Sequence, residues 1–168
     1  REGTKALALQ DYAMQQGQAF LRFDYRGHGK SSGVFTDGHI GKWLSDCLPV
    51  LDNLTQGCQI LVGSSMGGWL VLLTAKERPK RVGGILGIAS APDFTEDLMW
   101  SKFDDETKQK IITDGQCMLA SEYDESPYIV TRDLIEDGRQ HLVLRNKLEI
   151  KIPFHLIHGM ADEDVPYQ

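Results

Sequence analysis

A chain of 168 residues has room for one domain of ordinary size, and its 41% hydrophobic content belongs to globular rather than disordered sequences. No apolar run approaches the ~18–20 residues needed to span a bilayer, so the sequence predicts no transmembrane segment. The formal net charge of −6 argues against nucleic acid or an anionic membrane surface as a partner.

The first predicted element is a helix on which Ala6, Leu9, Ala13 and Met14 recur, stopped by Gly17. Ala19-Phe20-Leu21-Arg22-Phe23 reads as a short strand that ends at Asp24 and enters the glycine-rich turn Gly27 to Gly33. Ile40, Trp43, Leu44, Cys47, Leu48, Leu51 and Leu54 write one face of a second helix. Pro49 removes a backbone donor inside it, which predicts a kink or an early break. Gln59-Ile60-Leu61-Val62 is the next strand, and its apolar run is that of a strand buried on both faces. Gly67 to Arg78 is a helix apolar nearly all round, ended by Pro79. Gly84 to Ala89 is a further buried strand, and Phe154-His155-Leu156-Ile157 follows after Pro153.

Strands alternating with helices predict a mostly parallel sheet with helices on both faces. The stretch between the last two strands is too long for one crossover. Residues 92–151 carry 14 acidic and eight basic side chains, whereas the remainder of the chain is balanced at ten and ten. Asp104 or Asp105 caps a helix ending near Gly115, and Arg132 to Leu144 reads as another, weakened by Gly138. This helical insertion, about 92–151, is expected over the carboxyl edge of the sheet, where such sheets bind ligands. No linker divides residues 1–168 into two domains.

Three cysteines, Cys47, Cys58 and Cys117, form no CxxC pair and no disulfide framework, which suits a reducing, intracellular compartment. The three cysteines read as small core residues, Cys47 on the apolar helix face and Cys58 at a strand start, with an exposed position the alternative for Cys117. Trp69 and Trp100 are candidates to line a pocket, with a core position the alternative for Trp69. No His/Cys/Asp cluster has metal-ligand spacing, so no metal is predicted.

The strongest chemical signal is Gly63-Ser64-Ser65-Met66-Gly67, which fits G-x-S-x-G with Ser65 at its centre. A buried strand precedes it and a buried helix follows it, which is the context that the motif demands. A turn this tight leaves no room for a side chain at Gly63 or Gly67. The helix amino end then directs partial positive charge at the serine, and the Met66 N–H becomes an oxyanion donor. A serine hydroxyl needs a base, and the base needs an orienting acid. Asp162, Glu163 and Asp164 follow the last strand and are the candidates for that acid. Asp24 reads as an acceptor for N–H groups of the Arg26–Gly29 turn.

His158, Gly159, Asp162, Val165 and Pro166 match H-G-x-x-D-x-x-V-P, and Asp24, Arg26, Gly27, Gly29 and Ser31 match D-x-R-G-x-G-x-S. With the serine turn, these motifs resemble the α/β-hydrolase superfamily over nearly the whole chain. Phe23-Asp24-Tyr25, Leu61 to Leu70 and Gly3 to Ala8 are most similar to the mitochondrial palmitoyl-protein thioesterases that also cleave acyl glucuronides, and to their bacterial relatives. The resemblance implies an α/β-hydrolase fold with a helical cap and a serine hydrolase that cleaves acyl thioesters or esters, S-acylated proteins included. It implies Ser65 as nucleophile, Asp162 as triad acid, and no cofactor. It also implies a mitochondrial location in a eukaryote and a cytoplasmic one in a bacterium. The triad histidine is expected beyond a further strand after Asp162, whereas His28, His39, His141, His155 and His158 all precede it. The 168 residues are therefore expected to be an incomplete domain, inactive alone. The alternative is a catalytically silent binding module on the same fold.

Overall fold

The computed structural model describes residues 1–119 and 127–167, which form two compact units, Arg1–Gly38 and His39–Gln168. In the first unit, helix α1 (Thr4–Gln15) buries Ala13 and half-buries Ala6 and Leu9, while Met14 turns to solvent. The predicted strand at Ala19–Phe23 is not present as a strand. A strand exists through its ladder, and this unit contains no second strand to pair with it. The glycine-rich turn is closed by Ser31 Oγ–H donating to the Asp24 carbonyl at 2.7 Å. The Asp24 carboxylate accepts from Lys30 N–H at 3.1 Å, one residue beyond the donors expected.

The second unit is built on a three-stranded parallel sheet, with β2 (Val82–Ile88) between β1 (Gln59–Ser64) and β5 (Phe154–Ile157). Helix α2 (Ile40–Leu54) packs on α3 (Met66–Glu77), and α3 packs on β1 and β2. Their core joins Ile40, Trp43, Leu44 and Leu51 of α2 to Trp69, Leu70, Leu72 and Leu73 of α3 and to Val82 and Ile85 of β2. Each such side chain contributes roughly 1.5–3 kcal/mol on leaving water. Pro49 does not break α2. Pro49 has no N–H to donate within the helix, and it lies exposed while Trp43, Leu44 and Leu51 hold α2 in the core.

The expectation that the apolar strands are buried on both faces holds only for β2. Ile60 is 75% exposed and Leu156 61%. Among the described residues β1 and β5 are the sheet's two edges, and Ile60 and Val62, two residues apart, share one exposed face of the pleat.

Between β2 and β5 the chain makes a π-helical turn (Thr95–Trp100), α4 (Asp105–Asp114), an antiparallel hairpin of β3 (Gln116–Leu119) and β4 (Tyr128–Thr131), and α5 (Arg132–Gln140). Asp104 caps α4 by accepting from Thr107 N–H at 2.8 Å, and Gly115 ends it in the left-handed conformation. That hydrogen bonding with Thr107 holds the Asp104 carboxyl below its ordinary range. The hairpin was not expected from a segment read as helical. Its strands are only four residues long, too short for a periodicity to be read. Ile111, Cys117, Val130 and Ile135 form a core of their own here, flanked by Met99, Trp100 and Phe103. Cys117 is thus buried, as a small core residue would be, whereas Cys58 is exposed against the expectation. Helix α5 stops at Gln140, four residues before the predicted end. Gly138 has a packing reason to lie inside it, since a Cβ there would fall 2.3 Å from Thr95 Oγ1.

Candidate active site

Strand β1 delivers the chain to Ser65, and α3 begins at the next residue, Met66. No loop separates strand from helix, so the reversal falls on one residue. Ser65 adopts φ 52° and ψ −124°, a region that costs a non-glycine residue about 1–3 kcal/mol. Its backbone is held from three sides. Its N–H donates to the Ile88 carbonyl at 3.1 Å, and its carbonyl accepts from Gly68 N–H at 2.8 Å and from Ala91 N–H at 3.1 Å. The side chain is exposed and makes no capping bond to the helix. Ser64, by contrast, is the last residue of β1, in register with Ile88.

Close packing makes this geometry possible. A Cβ on Gly63 would lie 2.2 Å from the Gly67 carbonyl oxygen and 2.7 Å from Gly68 N. A Cβ on Gly68 would lie 2.3 Å from Ser90 Oγ and 2.4 Å from Ser90 Cβ. Ser90 Oγ is also 2.3 Å from where a Cβ of Gly87 would stand. The Ser90 side chain therefore wedges between β2 and the first turn of α3, directly behind Ser65. As the first residue of α3, Met66 has an N–H without an acceptor inside the helix, in the positive end of the helix dipole. Negative charge developing on an oxygen of a group attached through carbon to Ser65 Oγ would be favoured near that end.

The sheet register fixes where the acidic loop stands. Ser64 pairs with Ile88, and Ile88 with Ile157. Ser65 and His158 are therefore the first residues past the carboxyl ends of the two edge strands, with β2 between them. In the loop after β5, Asp162 is half-buried, whereas Glu163 and Asp164 are exposed. Asp162 Oδ1 accepts from Asp164 N–H at 3.1 Å and Val165 N–H at 3.0 Å, which holds its carboxylate in one orientation.

The histidines have other surroundings. His28 Nδ1 lies 3.2 Å from the Arg26 carbonyl, in the first unit. His39 Nδ1 is 2.9 Å from Asp137 Oδ2, and His141 Nδ1 donates to the Asp137 carbonyl at 2.8 Å. His155 lies exposed on β5. His158 Nε2 lies 3.8 Å from Asp162 Oδ2, but it donates its proton to the Val165 carbonyl at 2.6 Å. Trp69 is a fully buried core residue whose Nε1–H donates to the His141 carbonyl at 3.0 Å. Trp100 belongs to the core around Ile111, with the Arg139 guanidinium 4.7 Å from its ring centroid. Among the described residues no group of three or more His, Cys, Asp or Glu is placed to hold a metal ion, and no helix is long and apolar enough to cross a membrane.

The family described as "Serine aminopeptidase, S33" matches residues 4–168. The chain belongs to this family of α/β-hydrolases. It is 39% identical over 166 residues to the human protein named palmitoyl-protein thioesterase ABHD10, mitochondrial, covering 98% of this chain and 54% of that protein. Among solved structures, a putative hydrolase from Agrobacterium vitis is 45% identical with a TM-score of 0.95, over 99% of this chain and 66% of that one. Mouse alpha/beta hydrolase domain-containing protein 10 is 38% identical with a TM-score of 0.89, over 99% and 67%. The chain thus spans about half the length of the curated relatives it matches.

Membership of this hydrolase family agrees with the fold and the motifs read from the sequence. What the motifs did not show is the support behind them. Gly68, Gly87 and Ser90 form one close-packed contact, and Asp93 is a fully buried acid. The only visible trace of that contact was the extra glycine after the motif.

Proposed function

We propose that the protein is a serine hydrolase that cleaves acyl thioesters or esters through an acyl-enzyme on Ser65. The observation that carries this is Ser65 itself: a strained, exposed serine at the amino end of a buried helix, with both backbone polar groups held. Ser65 Oγ attacks the acyl carbonyl carbon while a base takes its proton. The carbonyl oxygen becomes an oxyanion facing the Met66 N–H and the helix dipole. Collapse of the tetrahedral intermediate breaks the bond to the leaving thiol or alcohol, which receives the proton. Water then attacks the acyl-serine with the same base, releasing the acid and restoring Ser65.

Asp162 is the acid in this scheme, because it alone of the three candidates is half-buried and held by two backbone N–H groups. The base is a histidine outside residues 1–168, a reading supported by the other surroundings of the five present. The thioester preference, S-acylated proteins among the substrates, and a mitochondrial location rest on similarity to the proteins named palmitoyl-protein thioesterase, mitochondrial. The 92–151 insertion is read as the cap that receives the acyl chain or leaving group. No cofactor is needed, since serine, imidazole and carboxylate supply nucleophile, base and orientation.

The test uses the complete protein with a fluorophosphonate probe and a palmitoyl-thioester substrate. Labelling should map to Ser65 and vanish, with turnover, in Ser65→Ala. Labelling at Ser64, or turnover that survives in Ser65→Ala, overturns the assignment. A protein with no labelling and no turnover would be a binding module on this fold.

A further inference from the structure

We infer that Asp93 is a positioning residue for Ser65, acting through the turn that follows β2; this rests on the assignment of Ser65 as nucleophile. The turn from Ala89 to Asp93 contains two of the three non-glycine residues with positive φ in the described structure, Ala89 at 43° and Asp93 at 57°. Ser65 is the third. Strain in two adjoining segments persists only where the surroundings over-determine it.

The turn and Ser65 are joined by backbone bonds. Ile88, just before the turn, accepts the Ser65 N–H, and Ala91, inside it, donates to the Ser65 carbonyl. Ser90 fills the space behind α3. The turn thus dictates where the Ser65 peptide planes lie, and the Met66 N–H belongs to the second of those planes.

Asp93 dictates where the turn lies. It is 0% exposed. Its two carboxylate oxygens accept separately, Oδ1 from Val143 N–H at 2.8 Å and Oδ2 from Leu144 N–H at 2.9 Å. Arg145 Nη2 stands 3.4 Å from Oδ2. From its own side, Asp93 O accepts from Glu96 N–H and Asp97 N–H, which starts the π-helical turn. A buried carboxylate with this many donors is a fixed point, and the strained turn is stretched between it and β2. Asp93 touches no reacting atom in this scheme. Its effect is on the orientation of Ser65 Oγ and the Met66 N–H, and so falls on the chemical step rather than on substrate binding.

Asp93→Asn separates these roles. The amide keeps one acceptor oxygen and presents an NH₂ group to the other backbone donor. In the complete protein, kcat for a palmitoyl thioester and the rate of phosphonylation by a fluorophosphonate should both fall ten- to a hundredfold, with KM within twofold of wild type. Ile135→Val, which loosens the core around Ile111 and touches neither turn nor serine, should lower the melting temperature with kcat unchanged. If Asp93→Asn does not fold, Leu144→Pro deletes one of the two N–H donors at a half-exposed residue and should give the same kcat-specific loss. A folded variant with wild-type kcat, or one in which KM rises while kcat holds, overturns the role of Asp93. Failure of the wild-type protein to label at Ser65 overturns the reading beneath it instead.

Discussion

Gly68→Ala tests the packing behind Ser65 most directly. The new Cβ would stand 2.4 Å from Ser90 Cβ and 2.9 Å from Ser90 Cα, against about 3.5–4.0 Å for an ordinary carbon contact. Rotating Ser90 about χ1 moves Oγ but neither of those carbons, and Gly87 and Leu156 close the space on the other side. Relief therefore requires α3 and the 89–93 turn to separate by roughly 1 Å, comparable to other overpacked sites that cost about 1–3 kcal/mol. For a domain of this size that is about 2–12 °C in melting temperature. The same displacement stretches the bond from Ala91 N–H to the Ser65 carbonyl, now 3.1 Å. A misplacement near 1 Å at a reacting group costs about a hundredfold in rate. The assay is a thermal melt paired with the rate of phosphonylation by a fluorophosphonate in the complete protein. The double variant Gly68→Ala/Ser90→Gly, which removes Oγ and Cβ from the clash, should recover part of both losses, and the cycle isolates the coupling. Wild-type phosphonylation in Gly68→Ala, or a double variant no better than the single, would refute the account of Ser90 as a wedge.

Asp162→Asn should leave the melt nearly unchanged and lower kcat by roughly 10⁴, the cost of a wrongly oriented imidazole, whereas Asp164→Asn should stay within twofold; the opposite ranking would move the acid to Asp164. Burial pushes the Cys47 thiol up to about 12 from an ordinary 9.0. The unfolded state therefore loses its proton first, and between pH 9 and 12 this group lowers stability by about 1.4 kcal/mol per pH unit. Urea melts across that range should show the slope, and Cys47→Ala should reduce it. In native protein near pH 8, a disulfide reagent should titrate Cys58 rapidly and leave Cys47 and Cys117 until unfolding, because only Cys58 is exposed; rapid reaction of Cys117 would contradict its place in the core around Ile111.

What was legible in the sequence is what local chemistry governs. A serine between glycines, after a strand and before an apolar helix, has one economical conformation, and Ser65 has it. Asp104 and Gly115 delimit α4 because caps act within a few residues. The misses are non-local. Ala19–Phe23 has strand composition, but composition does not supply a partner. Ile60 and Leu156 have the apolarity of a buried strand, but burial depends on what packs over each face. Gly138 looked like a weakness in α5 until Thr95 was seen against it. Asp93 carries no motif, because its donors lie 50 and 51 residues away.

If Ser65 is the nucleophile and Asp162 the acid, as proposed, the register of the sheet bears on the group that would link them. Ser65 and His158 follow strands that are two positions apart, roughly 9.5 Å at ordinary strand spacing. A hydroxyl and a carboxylate share a proton directly only at about 2.5–3.0 Å. Within one sheet β1 and β5 cannot approach further, because β2 is hydrogen-bonded to both. In the proposed scheme a planar ring with a nitrogen on each side would take the Ser65 proton on one side and bond Asp162 on the other. Lysine or arginine would fill the space with donors only and could not accept the proton in its charged form. On the proposed roles of Ser65 and Asp162, the spacing of the two strands is compatible with an imidazole working between them.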